Sequence, residues 1–202
     1  MKLKSWSSLG AALVLTACGA ETETAPVARA TIAEAPAVSS PKAPVMTAER
    51  AVAPVLTIDS EGLRLVDPRS GRTRPIPFDT PEGQVMTALA SRGAPTSSGV
   101  NADCGAGPTK NTQWSDGLSL LFQNDRLVGW SVNDRSDGKL TTLTGLGVGS
   151  TRADLDDAYD ATVEESSLGH EFQAGDLGGL LSGDGAQATV TDLWAGVTCA
   201  FR

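Results

Sequence analysis

Residues 19–53 set the first limit on what this chain can fold into: they are dominated by Ala, Pro, Thr, Glu and Val, hold no aromatic residue, and sustain neither a period of 2 nor one of 3.6. A segment of that kind buries too little apolar surface to offset the entropy lost on ordering it. Its prolines Pro26, Pro36, Pro41 and Pro44, with Pro54 just beyond, bias it toward polyproline II, so its reach lies between a coil and roughly 3.1 Å per residue. The organisation expected is a leader over residues 1–17, then Cys18 and a disordered tether to residue 53, then one folded domain over residues 54–202. About 150 residues suffice for a single hydrophobic core or for two small repeats sharing one.

The leader has the three regions of a signal peptide: Lys2 and Lys4, an apolar run from Leu9 to Ala17, and small residues before a cysteine. A lasting membrane span needs roughly 20 apolar residues, about twice that run. The tetrapeptide Leu15-Thr16-Ala17-Cys18 resembles the lipobox of bacterial lipoproteins. That resemblance implies a diacylglycerol on the Cys18 thiol, cleavage before it by signal peptidase II, and, with Gly19 rather than Asp next in line, sorting to the outer membrane. Two or three acyl chains, at about 0.8 kcal/mol per buried CH₂, hold a protein where one chain does so only marginally.

Cys104 and Cys199 are the cysteines left once Cys18 is acylated. In an oxidising compartment they have one intramolecular pairing available. The competing uses are a thiol nucleophile, which needs a base that only His170 offers, and a metal site, which needs three or four ligands that Cys104, Cys199 and His170 do not obviously supply. No metal or other cofactor is expected. With 16 basic against 24 acidic side chains and a net charge of −8, the chain repels nucleic acid and anionic lipid surfaces. A basic protein partner is permitted.

Within the domain, Thr80-Pro81-Glu82-Gly83-Gln84-Val85-Met86-Thr87-Ala88-Leu89 and Ser150-Thr151-Arg152-Ala153-Asp154-Leu155-Asp156-Asp157-Ala158-Tyr159 both open on a capping hydroxyl and place apolar residues sixth, ninth and tenth. Each predicts a short amphipathic helix, the first with Pro81 at its first helical position. Leu118–Phe122 with Leu127–Val132, and Gly178–Leu181 with Ala188–Trp194, each read as a hairpin. Leu56–Ile58, Gly62–Val66 and Pro75–Phe78 add an extra strand or two. The expected class is α+β: an antiparallel sheet with short helices on one face, as two helix-plus-hairpin repeats over about 72–139 and 140–202.

The run Val148-Gly149-Ser150-Thr151-Arg152-Ala153-Asp154-Leu155 resembles the helix start of the β-lactamase-inhibitor-protein-like superfamily, which includes the small assembly lipoprotein of the outer-membrane barrel-insertion machine. Arg92-Gly93-Ala94-Pro95 is similar to that family's helix ending, a feature Tyr159-Asp160-Ala161 lacks. The resemblance implies a non-enzymatic binding or assembly role.

Other motifs fall short of chemistry. Gly145-Leu146-Gly147-Val148-Gly149-Ser150-Thr151 precedes a helix, but no Lys follows as in a phosphate loop, and Ser150 stands where a dinucleotide fingerprint needs glycine. Ser166, Ser167 and Glu171 lie near His170 without a nucleophile elbow. Asp154, Asp156, Asp157 and Asp160 crowd one helix, and Asn133–Gly138 has Arg135 where a calcium loop wants Asp or Asn. The large rings of Trp114, Trp130 and Trp194 belong either to the core or, on an open sheet face, to a partner contact. The function expected is a lipid-anchored envelope protein, facing the periplasm, that binds another envelope protein as assembly factor or inhibitor. The alternative is an envelope hydrolase or small-ligand-binding lipoprotein using acidic loops.

Overall fold

A computed structural model describes residues 52–199; the leader, Cys18 and the expected tether up to residue 51 lie outside the described residues. Strands β1 (Val55–Asp59), β2 (Gly62–Val66) and β3 (Thr73–Pro77) form an antiparallel sheet in that order. Period-2 alternation buries Leu56, Ile58, Leu63, Leu65 and Ile76 on one side. The turn before β3 is built on Asp67, whose carboxylate accepts from the backbone N–H groups of Ser70 and Arg69; those bonds hold its pKa below the usual value.

Helix α1 (Glu82–Ala88) then leads into β4 (Ser97–Asn101), β5 (Thr109–Gln113), β6 (Leu118–Gln123) and β7 (Arg126–Val132). After a loop, α2 (Arg152–Ala158) leads into β8 (Thr162–Ser166), β9 (Gly169–Ala174), β10 (Leu177–Leu181) and β11 (Val190–Gly196). These eight strands make one antiparallel sheet in the order β4-β5-β6-β7-β11-β10-β9-β8, joined at its centre by β7 and β11.

One face of that sheet carries the core. Its rows run Leu120-Trp130-Ala195-Leu177-Ala174 and Leu118-Val132-Leu193-Gly179-Phe172 across the strands. Ile58 and Leu63 of the small sheet, Val85 of α1 and Leu155 of α2 pack into the same buried cluster. Trp130, fully buried, donates its indole N–H to the Asp59 carbonyl at 2.8 Å and so ties the two sheets together.

The expected α+β class of two helix-plus-hairpin repeats is therefore corrected. The described residues form eleven strands in two antiparallel sheets, a sandwich-like and mostly β arrangement in which the two α-helices are seven residues each. The strands read as hairpins are the pairs β6/β7 and β10/β11, but a four-stranded meander, not a hairpin, follows each helix. The extra strand or two is a separate three-stranded sheet. The first helix start is corrected too: Pro81 is the residue before α1 rather than its first, and no side chain caps it, because the Thr80 hydroxyl donates to the Pro77 carbonyl instead.

Candidate functional site: the open sheet face around Trp194

The opposite face of the eight-stranded sheet has no second layer of strands or helices among the described residues. Register places Thr162, Gln173, Gly178, Trp194, Ser131, Ser119 and Gln113 in one row across it. Small and polar side chains surround a single large ring. Trp194 is half-buried, and its indole lies against the strand at Gly178, where a Cβ would collide with the ring nitrogen. The neighbouring Gly179 makes room for the Phe172 ring on the core side. The two glycines of β10 thus seat one aromatic ring on each face.

Trp194 lines two depressions. The larger, about 720 Å³, is lined by Glu61, Phe78, Gln173 and Asp176 besides the indole. The smaller, about 330 Å³, is lined by Asn111, Leu121, Leu180 and Asp192 as well as the indole. Burial pushes the Asp192 carboxyl above its ordinary pKa, a hydrogen bond from Thr191 opposes that shift, and nearby Asp134 adds to it. The Asn111 side-chain oxygen is buried and finds no hydrogen-bond partner.

The chain end helps shape this face. After Gly196, with φ of 73°, the chain leaves β11 and Val197 donates its N–H to the Val128 carbonyl at 2.8 Å. It passes over Gly129, where any Cβ would strike the Val197 backbone, so only glycine allows the crossing. Cys199 is disulfide-bonded to Cys104 in the β4–β5 loop, with Cα atoms 5.0 Å apart. The strap so formed shares the smaller groove with Leu121, which is buried although it sits on the outer face.

Of the three tryptophans considered as partner contacts, Trp114 and Trp130 lie in the core, at 5% and 0% exposure, and only Trp194 reaches the surface. Trp114 donates its indole N–H to the Gly93 carbonyl at 3.2 Å. His170 stands on the core-side row of β9, opposite Leu181 and Glu165, and does not converge on the Trp194 grooves. The Gly145–Thr151 run is a turn in which the Gly147 N–H bonds the Ser150 hydroxyl at 3.1 Å. Asp154 is occupied by the cap of α2, and Asp156 pairs with Arg152. Asn133 and Asp137 accept from backbone groups two residues on, Arg135 and Lys139. Among the described residues, no group of three or more His, Cys, Asp or Glu is placed to hold a metal ion, and no helix is long and apolar enough to cross a membrane.

The arrangement offers an indole platform, two amides (Asn111 and Gln173) and three carboxylates (Glu61, Asp176 and Asp192), the mix of one large ring and a polar surround that contact surfaces use. Sequence reading named Trp194 but missed Gln173, Asp176 and Asp192 around it; the Gly178-Gly179 pair inside a strand was the available signal that something large lies against the backbone. No protein-family model matches the chain, and none of the curated proteins or solved structures compared with it does so either.

Proposed function

We propose that the chain is an exported, acylated lipoprotein of the bacterial envelope whose domain faces the periplasm and holds another envelope protein against the outer face of the eight-stranded sheet. The anchor rests on the leader and on Leu15-Thr16-Ala17-Cys18, with Gly19 favouring the outer membrane. The disulfide agrees with export, since such bonds persist in oxidising compartments.

One observation carries the binding reading: Trp194 is left partly exposed and lines two grooves, while Trp114 and Trp130 are buried. Large rings flanked by depressions and a polar surround anchor protein interfaces. Crosslinking in the native envelope followed by mass spectrometry identifies the partner. Trp194→Ala is expected to lower its recovery about tenfold or more, the loss expected from truncating an interface anchor. Undiminished recovery from a folded Trp194→Ala chain rules this face out. Cys18→Ala is expected to abolish acylation and release soluble protein; a membrane-bound product insensitive to globomycin counts against the anchor.

The partly buried Asp192 beside the indole favours a second reading, a small polar ligand in the grooves. That reading predicts a shift in tryptophan fluorescence on adding a protein-free envelope extract, absent in Trp194→Ala.

A further inference from the structure

We propose that β4 is a self-pairing edge, through which two copies of this chain join their eight-stranded sheets about a two-fold axis at Gly99. This goes beyond the function proposed above and rests on neither the lipid anchor nor the Trp194 face.

An unpaired strand edge offers backbone N–H and C=O groups to any other strand, and proteins blunt such edges with charge, proline or cover. The two sheets have four edges among the described residues, and three are blunted. The β3 edge contains Pro75 and Pro77, which lack the N–H a ladder needs. The β8 edge carries Glu164 and Glu165. The β1 edge is taken in part by the following chain, the Ile58 N–H donating to the Thr141 carbonyl at 3.1 Å.

The fourth edge, β4, reads Ser-Ser-Gly-Val-Asn, without charge or proline, and four of its five residues are exposed. Its Val100 is 69% exposed, more than Val52, Val55 or Leu143. The charges behind it are already paired: Lys110 with Glu82 at 2.7 Å, and Arg92 with Asp116.

Self-pairing, rather than capture of a foreign strand, follows from symmetry and charge. Antiparallel pairing of two β4 strands about Gly99 sets Ser97 opposite Asn101, Ser98 opposite Val100 and Gly99 opposite itself, so no like charges meet. The same operation on β8 sets Glu164 opposite Glu164. The long-range field points the same way. Residues 54–139 carry nine Lys or Arg against ten Asp or Glu, whereas residues 140–199 carry one against ten. Joining through β4 apposes the near-neutral halves and holds the acidic halves at the two far ends of one continuous sheet.

A five-residue edge is small beside a standard interface of about 1,600 Å², so the pair is a weak one. Sedimentation equilibrium of the full-length chain, in density-matched detergent where it carries lipid, is expected to show the mass doubling as concentration passes about 100 µM. Gly99→Glu and Gly99→Lys are each expected to be folded and monomeric, because a Cβ at Gly99 meets nothing within 4 Å while in the dimer two like charges would face each other across the axis. Their equimolar mixture is expected to recover the dimer. A wild-type chain still monomeric at about 1 mM overturns the proposal and leaves the edge to another protein's strand. A dimer that both variants leave intact, or a mixture that fails to recover it, overturns it as well.

Discussion

Asp192 and Trp194 are two residues apart on β11 and share the outer face, yet the strand treats them oppositely. The indole is placed by an absence, the missing side chain of Gly178, whereas the carboxylate is held where losing water disfavours its charge. An acid whose pKa is raised on folding holds its proton more tightly in the native state, so stability falls as pH rises from about the unfolded value, 3.8, through the folded one. Asp192→Asn removes the ionised form. It is expected to raise the thermal midpoint at pH 7 and to give a smaller gain at pH 3, measured by circular dichroism melts at both. A gain that is the same at both would mean that burial of the charge is not the cause. At this scale the sequence was half legible. Three tryptophans could be named as candidates, but which of them was core depended on register: Trp130 sits opposite Leu120 and Ala195 on the inner row, and Trp194 opposite Ser131 and Gly178 on the outer. A one-residue slip would have reversed them.

The two helices show why short elements differ in how firmly they are specified. In α2 the Thr151 hydroxyl accepts from the Asp154 N–H at 3.1 Å, and the Asp154 carboxylate accepts in return from the Thr151 N–H at 2.8 Å. A hydrogen bond from the Thr151 hydroxyl to the Asp154 carboxylate, together with the bond from the Thr151 N–H, lowers the Asp154 pKa. The sequence pattern pointed to a capping hydroxyl one residue earlier, at Ser150, whose hydroxyl instead accepts from the Gly147 N–H. In α1 no side chain caps the start, and a single buried residue, Val85, fixes the helix. Thr151→Ala is therefore expected to cost about 1 kcal/mol and Thr80→Ala less than about 0.5. Urea titrations of both variants test the contrast; equal losses would mean that the cap adds nothing beyond surface packing. The strands divide similarly. Those rich in Leu, Val and Trp, β6, β7 and β11, were legible from apolar runs. The polar strands β4, β5 and β8 were not, because strands toward the ends of a sheet with one open face need few apolar residues, and their partners rather than their own pattern make them strands. Overlooking them turned meanders into hairpins and made the two helices seem a larger share of the fold.

For the whole molecule, the decisive long-range link is the one between Cys104 and Cys199, 95 residues apart in sequence. It connects the β4–β5 loop to the end of β11, so it encloses the helix α2 and seven of the eight strands of the large sheet. The pairing could be anticipated from cysteine count, but the path of the strap could not, since it depends on Gly129 allowing the chain to cross the open face. Closing so long a loop restricts the unfolded chain most, and the chain-entropy model assigns about 4 to 5 kcal/mol to it. The native state gains less, because Val197 is already held by its bond to Val128 and the strands on either side are paired in register without the bridge. The Cys104→Ser/Cys199→Ser double variant is accordingly expected to keep its near-ultraviolet circular dichroism while losing several kcal/mol in urea titration, with a steeper denaturant dependence because its unfolded state is more expanded. Loss of the near-ultraviolet signal in the folded variant would reverse this assignment: it would make the disulfide the fastener of the strap over Leu121 and place its main contribution in the native sheet face rather than in the unfolded chain.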